Sequence, residues 1–185
     1  MQSSVKLVSY TQPACYELSG MNTLEMIAYT ARVSNPSNQH NNETAEKLVS
    51  YCAKNQYWSV FEMVDATLEI ITTRDIGRQI LRQNFLYRSF SFWEFSQRYA
   101  DSTKSLDFLV RAARLQARAV LPESMTMSKM YMKGSLRSWI HYIQLSSGNG
   151  TGKEHREIAL MAANELENIF PYINDCVYKE TKWNI

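Results

Sequence analysis

Val64-Asp65-Ala66-Thr67-Leu68-Glu69-Ile70 alternates apolar and polar residues without a break. A period of two puts Val64, Ala66, Leu68 and Ile70 on one face, so the segment reads as a β-strand with one buried and one wet side. Its flanks read differently. Residues 74 to about 85 follow helical spacing, 90–99 are extended, and 106–120 form a helix with Leu106, Leu109, Val110, Ala113 and Ala117 along one side. Pro122 stops that helix, and 125–132 is a further strand. Residues 5–10 make a strand as well. Asn22 caps a helix running to Ala31, with Glu25 three residues on to return the bond, and 44–54 is a helix with Leu48, Tyr51 and Cys52 on its apolar face. Two more helices, 135–145 and 153–170, close the pattern, the second stopped by Pro171. The turn-rich stretches 35–42 and 146–152 connect elements and do not resemble interdomain linkers. A single α+β domain over residues 1–185 is expected, with several helices around a small sheet.

Composition narrows the function classes. With 185 residues the chain is long enough to bury about 70% of its unfolded surface. A net charge of +2 does not describe a general nucleic-acid binder, and no apolar run approaches the ~18 residues of a membrane span. Cys15, Cys52 and Cys176 are odd in number and far apart, so they outline neither a disulfide framework nor a zinc site. No metal is expected, and a reducing cytoplasm fits best.

Chemistry concentrates in Arg78–Tyr99, RQILRQNFLYRSFSFWEFSQRY, where Arg78, Arg82, Arg88 and Arg98 are interleaved with Phe85, Phe90, Phe92, Trp93 and Phe95. Guanidinium groups among aromatics need an acceptor, because an unpaired buried charge is costly. Planar arginine forks match phosphate, and aromatic faces match a nucleobase or a flavin ring. The plainer alternative is a basic helix and strand whose arginines pair with Glu94, Asp75 and Asp101.

Gln79-Ile80-Leu81-Arg82, then Arg88-Ser89-Phe90, then Glu94-Phe95-Ser96-Gln97-Arg98-Tyr99 resembles the signature of the flavin-dependent thymidylate synthases (ThyX). Trp58–Glu62, Ala117–Pro122 and Gly134–Tyr142 are similar to further segments of that family in the same order. The likeness covers nearly the whole chain and is closest to forms carried by large DNA viruses and phages. It implies a ThyX-like α+β fold with a small, mostly antiparallel sheet. It also implies a site shared between subunits of a homotetramer, in which dUMP receives a methylene carbon from methylenetetrahydrofolate and FAD, reduced by NADPH, completes the methyl group. By the same resemblance Gln79, Arg82, Glu94, Ser96, Gln97, Arg98 and Arg118 surround dUMP, with Arg82 and Glu94 in the catalytic set. Ser59, Arg88, Arg137 and His141 hold FAD; Arg137 and His141 are four residues apart and share a helical face.

Three positions depart from the family pattern. Gln83 to Tyr87 separate Arg82 from Arg88, where the family runs R-H-R; the family's folate-associated histidine falls at Tyr57; and the arginine that polarises the uracil ring falls at Ser146. A hydroxyl supplies no fixed positive charge, and loss of such a group costs on the order of 100-fold in rate. Two readings stay open. One is an active flavoenzyme on dUMP or another pyrimidine deoxynucleotide, making dTMP or a different modified pyrimidine with Ser146 in the catalytic set. The other is a catalytically degenerate relative that binds nucleotide or partners an intact ThyX. In either case the chain is expected to be a cytoplasmic homo-oligomer, in the host cytoplasm if viral, without membrane or nucleic-acid partners.

Overall fold

The computed structural model describes residues 3–87, 90–94, 123–148 and 150–176. Among these residues four strands, β1 (Ser4–Tyr10), β2 (Asp65–Thr73), β3 (Phe90–Glu94) and β4 (Met127–Ser135), form one sheet in the order β1-β2-β4-β3. All three pairings are antiparallel. The alternation of apolar and polar residues is realised in the strand: along β2 every second residue is buried. β2 and β4 pair in register over their full lengths, from Asp65 opposite Ser135 to Thr73 opposite Met127.

Among the described residues five α-helices accompany the sheet: α1 (Thr23–Ala31), α2 (Ala45–Lys54), α3 (Arg74–Tyr87), α4 (Leu136–Ser146) and α5 (Lys153–Glu167). α3, α4 and α5 pack on the sheet, whose buried face carries Ala66, Leu68, Ile70, Met130 and Met132, while α1 and α2 pack on each other and on the turn Trp58–Met63; the face builds one core with Phe61, Trp139, Ile140, Ile158 and Phe170. The Trp139 indole donates to the Ala66 carbonyl at 3.1 Å inside that core, so burying its ring leaves no polar atom unpaired. On the opposite face Glu69 accepts from the Tyr131 hydroxyl at 2.7 Å and from Lys129 at 3.0 Å. At the outer edge of β1, the Leu7 amide donates to Glu165 of α5 at 2.8 Å. That bond occupies an edge donor that a foreign strand could otherwise use.

The Asn22/Glu25 capping box forms with both bonds, at 3.0 and 2.8 Å. Three details differ from the sequence reading. Tyr51 is 55% exposed, because the stripe of α2 that packs inward is Ala45, Val49 and Cys52. The last helix ends at Glu167, short of Pro171, and the chain turns so that Phe170 reaches the core against Phe61, with ring centroids 5.0 Å apart. Pro171 opens a 3-10 turn, Pro171–Cys176, where its fixed φ and missing N–H are tolerated. The strand expected at 125–132 starts at Met127 and continues to Ser135. Residues 95–122, including the expected 106–120 helix, lie outside the described residues.

Candidate functional site

The predicted nucleotide-facing groups that are described belong to α3 and β3. Gln79 and Arg82 are exposed on α3, while Ile76 and Ile80 turn inward. Arg78 lies beside them and pairs with Glu123 at 2.7 Å, not with the carboxylates expected from sequence. Both partners are about half exposed, so the pair adds little to stability. Glu94 is the last residue of β3 and continues the inward positions of Phe90 and Phe92. Its Oε1 accepts a 2.7 Å hydrogen bond from Ser128 of β4. Arg88, Ser96, Gln97, Arg98 and Arg118 lie outside the described residues.

The predicted flavin-facing groups that are described gather around the start of α4. Ser135 caps this helix, its hydroxyl accepting from the Ser138 amide. Trp139, Ile140 and Ile143 face the core, which leaves Arg137 and His141 on the exposed side as their four-residue spacing requires. Ser59 is exposed on the 3-10 turn Trp58–Met63 that precedes β2. From the same turn, Glu62 accepts from Arg137 with one oxygen and from the Ser135 hydroxyl with the other, both at 2.8 Å. Glu62 therefore ties the turn to the first residues of α4 and holds the Arg137 guanidinium in place. The role of Glu62 is not legible in the sequence, because a carboxylate before a strand carries no signal of its partner 75 residues later.

Ser146 ends α4 with none of its surface exposed. It lies beside a buried polar group made by Tyr142, Ser147 and His155. Tyr142 and His155 face each other with ring centroids 5.9 Å apart. Burial drives the Tyr142 phenol well above its ordinary range, with the Ser146 hydroxyl acting in the other direction, and burial lowers His155 to about 4. Among the described residues His155 Nε2 has no hydrogen-bond partner.

The two predicted groups occupy different levels of the sheet. Glu94 is opposite Met130, whereas Arg137 follows Ser135, so five residues of β4, about 17 Å at a strand's rise, lie between Met130 and the start of the predicted flavin-facing cluster. A separate open cleft of about 560 Å³ lies among Tyr10, Gln12, Ser19, Asn22 and Asn168. No predicted site residue is among its described lining. Among the described residues, no helix is long and apolar enough to cross a membrane.

Comparison with known proteins bears on this arrangement. The family described as "Thymidylate synthase complementing protein" matches residues 17–114 and 107–172. The chain is 38% identical to a probable flavin-dependent thymidylate synthase of Paramecium bursaria Chlorella virus 1, over 92% of this chain and 96% of the relative. It is 37% identical to a flavin-dependent thymidylate synthase of Synechocystis, over 91% and 96%. Its fold is similar to that of a UMP/dUMP methylase, PolB, from Streptomyces cacaoi, crystallised with 5-Br dUMP. The TM-score is 0.69 at 20% identity, covering 95% of this chain and 94% of the other.

Proposed function

The chain belongs to the thymidylate synthase complementing protein family, that of the flavin-dependent thymidylate synthases, and from this premise we propose that it modifies a pyrimidine deoxynucleotide, dUMP, with the help of a bound flavin. The observation that carries the reading is identity of 38% and 37% to flavin-dependent synthases across more than nine-tenths of the chain. Methylenetetrahydrofolate is the proposed carbon donor, NADPH the proposed reductant and dTMP the proposed product. The whole of residues 1–185 acts as one domain, in a reducing cytoplasm, that of a host cell if the chain is viral.

The donor set at the start of α4 suits a flavin. Arg137 and His141 project from one exposed face, and Ser59 stands on the turn that Glu62 ties to that helix. These residues, with Arg88, would hold FAD. When bound, the flavin supplies the reducing equivalents that complete the new C5 substituent. The arginines Arg82, Arg98 and Arg118 neutralise the nucleotide phosphate, with planar forks that match its oxygens. Gln79, Ser96 and Gln97 orient the nucleotide, and Glu94 presents a carboxylate held at one oxygen by Ser128. The separation of the two clusters along β4 supports a site completed by a second copy, hence a homo-oligomer, a tetramer by resemblance to the family.

The burial of Ser146 supports a second reading. A short hydroxyl packed among Tyr142, Ser147 and His155 does not replace a long cationic side chain against a uracil ring, so the chain would then be a nucleotide-binding relative, or the partner of an intact synthase. Titration of purified protein with FAD and dUMP, followed by growth of thymidine-requiring cells carrying the gene, separates the two. Flavin absorption near ~450 nm that responds to dUMP, together with growth, supports the enzyme. Nucleotide binding without growth supports the degenerate relative, and indifference to both ligands rejects both readings.

A further inference from the structure

We propose that Ser128 is a positioning residue for Glu94, fixing the carboxylate through which the chain reads its nucleotide; this rests on the function proposed above. Three features converge on the pair. Alternation along β3 sends Phe90, Phe92 and Glu94 to the same inward face, so a carboxylate occupies the position after two core aromatics. Phe90 is anchored against Trp139, with centroids 4.8 Å apart, which fixes the strand that carries Glu94. β4 is an interior strand, paired on one side with β2 and on the other with β3, and Ser128 sits on its buried face with 3% of its surface exposed.

From there Ser128 Oγ donates to Glu94 Oε1 at 2.7 Å, the length of a charge-assisted O–H···O bond. The two residues are not directly paired. Met130 is opposite Glu94 and Ser128 is two residues further on the same face, so the bond runs diagonally across the β3–β4 ladder. Ser128 is in turn opposite Thr72, whose hydroxyl bonds to that of Ser3 at 3.0 Å, and a row of small hydroxyl residues thus crosses the sheet at this level. A glutamate at the end of a short edge strand has three rotatable side-chain bonds. A single hydroxyl on an immobile neighbour selects among its rotamers and leaves the second oxygen for the nucleotide. A methyl group at position 128 would fill almost the same space and direct nothing.

The test uses the FAD-loaded oligomer, with dUMP affinity read from the change in the flavin spectrum. FAD affinity and thermal midpoint are recorded for each variant. Ser128→Ala is expected to weaken dUMP about tenfold or more, as loss of a hydrogen bond to a charged group does, while FAD affinity stays within about twofold. Ser128→Thr, which keeps the hydroxyl, is expected to restore most of the loss. In a Glu94→Gln background, Ser128→Ala is expected to add little, because the two changes remove one interaction. The proposal is overturned if Ser128→Ala leaves dUMP affinity unchanged, if Thr and Ala lose equally in step with thermal midpoint, or if the losses of Ser128→Ala and Glu94→Gln simply add. Failure of the unmodified protein to respond to dUMP overturns the functional reading and the positioning role with it, whereas a normal wild-type response with indifferent variants overturns only the latter.

Discussion

His155 offers a sharp test of the core because it is 2% exposed, lacks a partner for Nε2 among the described residues, and is held by burial near 4 against an ordinary value of 6.5. Above pH ~6.5 the imidazole is neutral whether the chain is folded or unfolded, and the full stability is present. As pH falls from there toward ~4 the unfolded chain takes up a proton that the folded core refuses, so stability declines; below ~4 both states are protonated and this contribution is flat. The whole displacement is worth at most about 3.5 kcal/mol, and about 2 kcal/mol of that falls between pH 7 and pH 5. With a urea dependence of ~2 kcal/mol per molar, the wild-type midpoint should move down by about 1 M over those two pH units from this residue alone. Other groups titrate in the same window, so the measurement is a comparison: urea unfolding at fixed protein concentration, at several pH values, for wild type and His155→Gln. The variant's absolute stability at pH 7 is immaterial; its slope should be shallower by that 1 M. Parallel curves for the two proteins would refute the assignment of a neutral buried imidazole.

Three further outcomes are expected. Asn22→Ala removes the capping box at the start of α1 and should cost about 1 kcal/mol, lowering the thermal midpoint by roughly 2–4 °C in calorimetry, with Asn22→Asp close to wild type. Gly77→Ala sets two effects against each other: the added Cβ would meet the Met130 Cε at 2.7 Å, but that is the flexible end of a side chain, and helix propensity gains about 1 kcal/mol. The net change in chemical denaturation should stay within about 1 kcal/mol, and a much larger loss would mean that Met130 cannot move. Arg137→Ala should weaken FAD about tenfold in a fluorescence titration while shifting stability by less than about 1 kcal/mol, because its pair with Glu62 is half exposed. Equal FAD affinity would remove Arg137 from the cofactor site.

The strands were legible where one face is wet. β2 declared itself because Asp65, Thr67 and Glu69 must reach solvent while Ala66, Leu68 and Ile70 must not, and the Asn22/Glu25 pair marked the start of α1 by chemistry local to four residues. Tyr51 was misplaced because an amphipathic ring at the border of a helical stripe can turn either way, and only the packing of Val49 decides it. The end of α5 was misplaced for a similar reason: a proline marks where a helix cannot continue, but here the demand of Phe170 for the core ends it earlier. At the site, the exposed shared face of Arg137 and His141 follows from spacing. The contacts of Glu62 with Arg137 and of Ser128 with Glu94 join residues 75 and 34 positions apart, and nothing in the local sequence announces them. The burial of Ser146 was equally out of reach, since a serine after an apolar run suits a helix end in solvent as well as one in the core.

The bond between the Leu7 amide and Glu165 joins positions 158 residues apart. On a translating ribosome, at about 5–20 residues per second, roughly 10 to 30 seconds separate the synthesis of the two partners. Throughout that interval β1 can find β2, but the Leu7 amide has to wait for its carboxylate until α5 has left the exit tunnel. Lys6 and the serines at positions 4 and 9 are the polar residues that this strand carries through the wait. A chain that stalled or ended before residue 165 would lack the carboxylate that occupies the Leu7 amide.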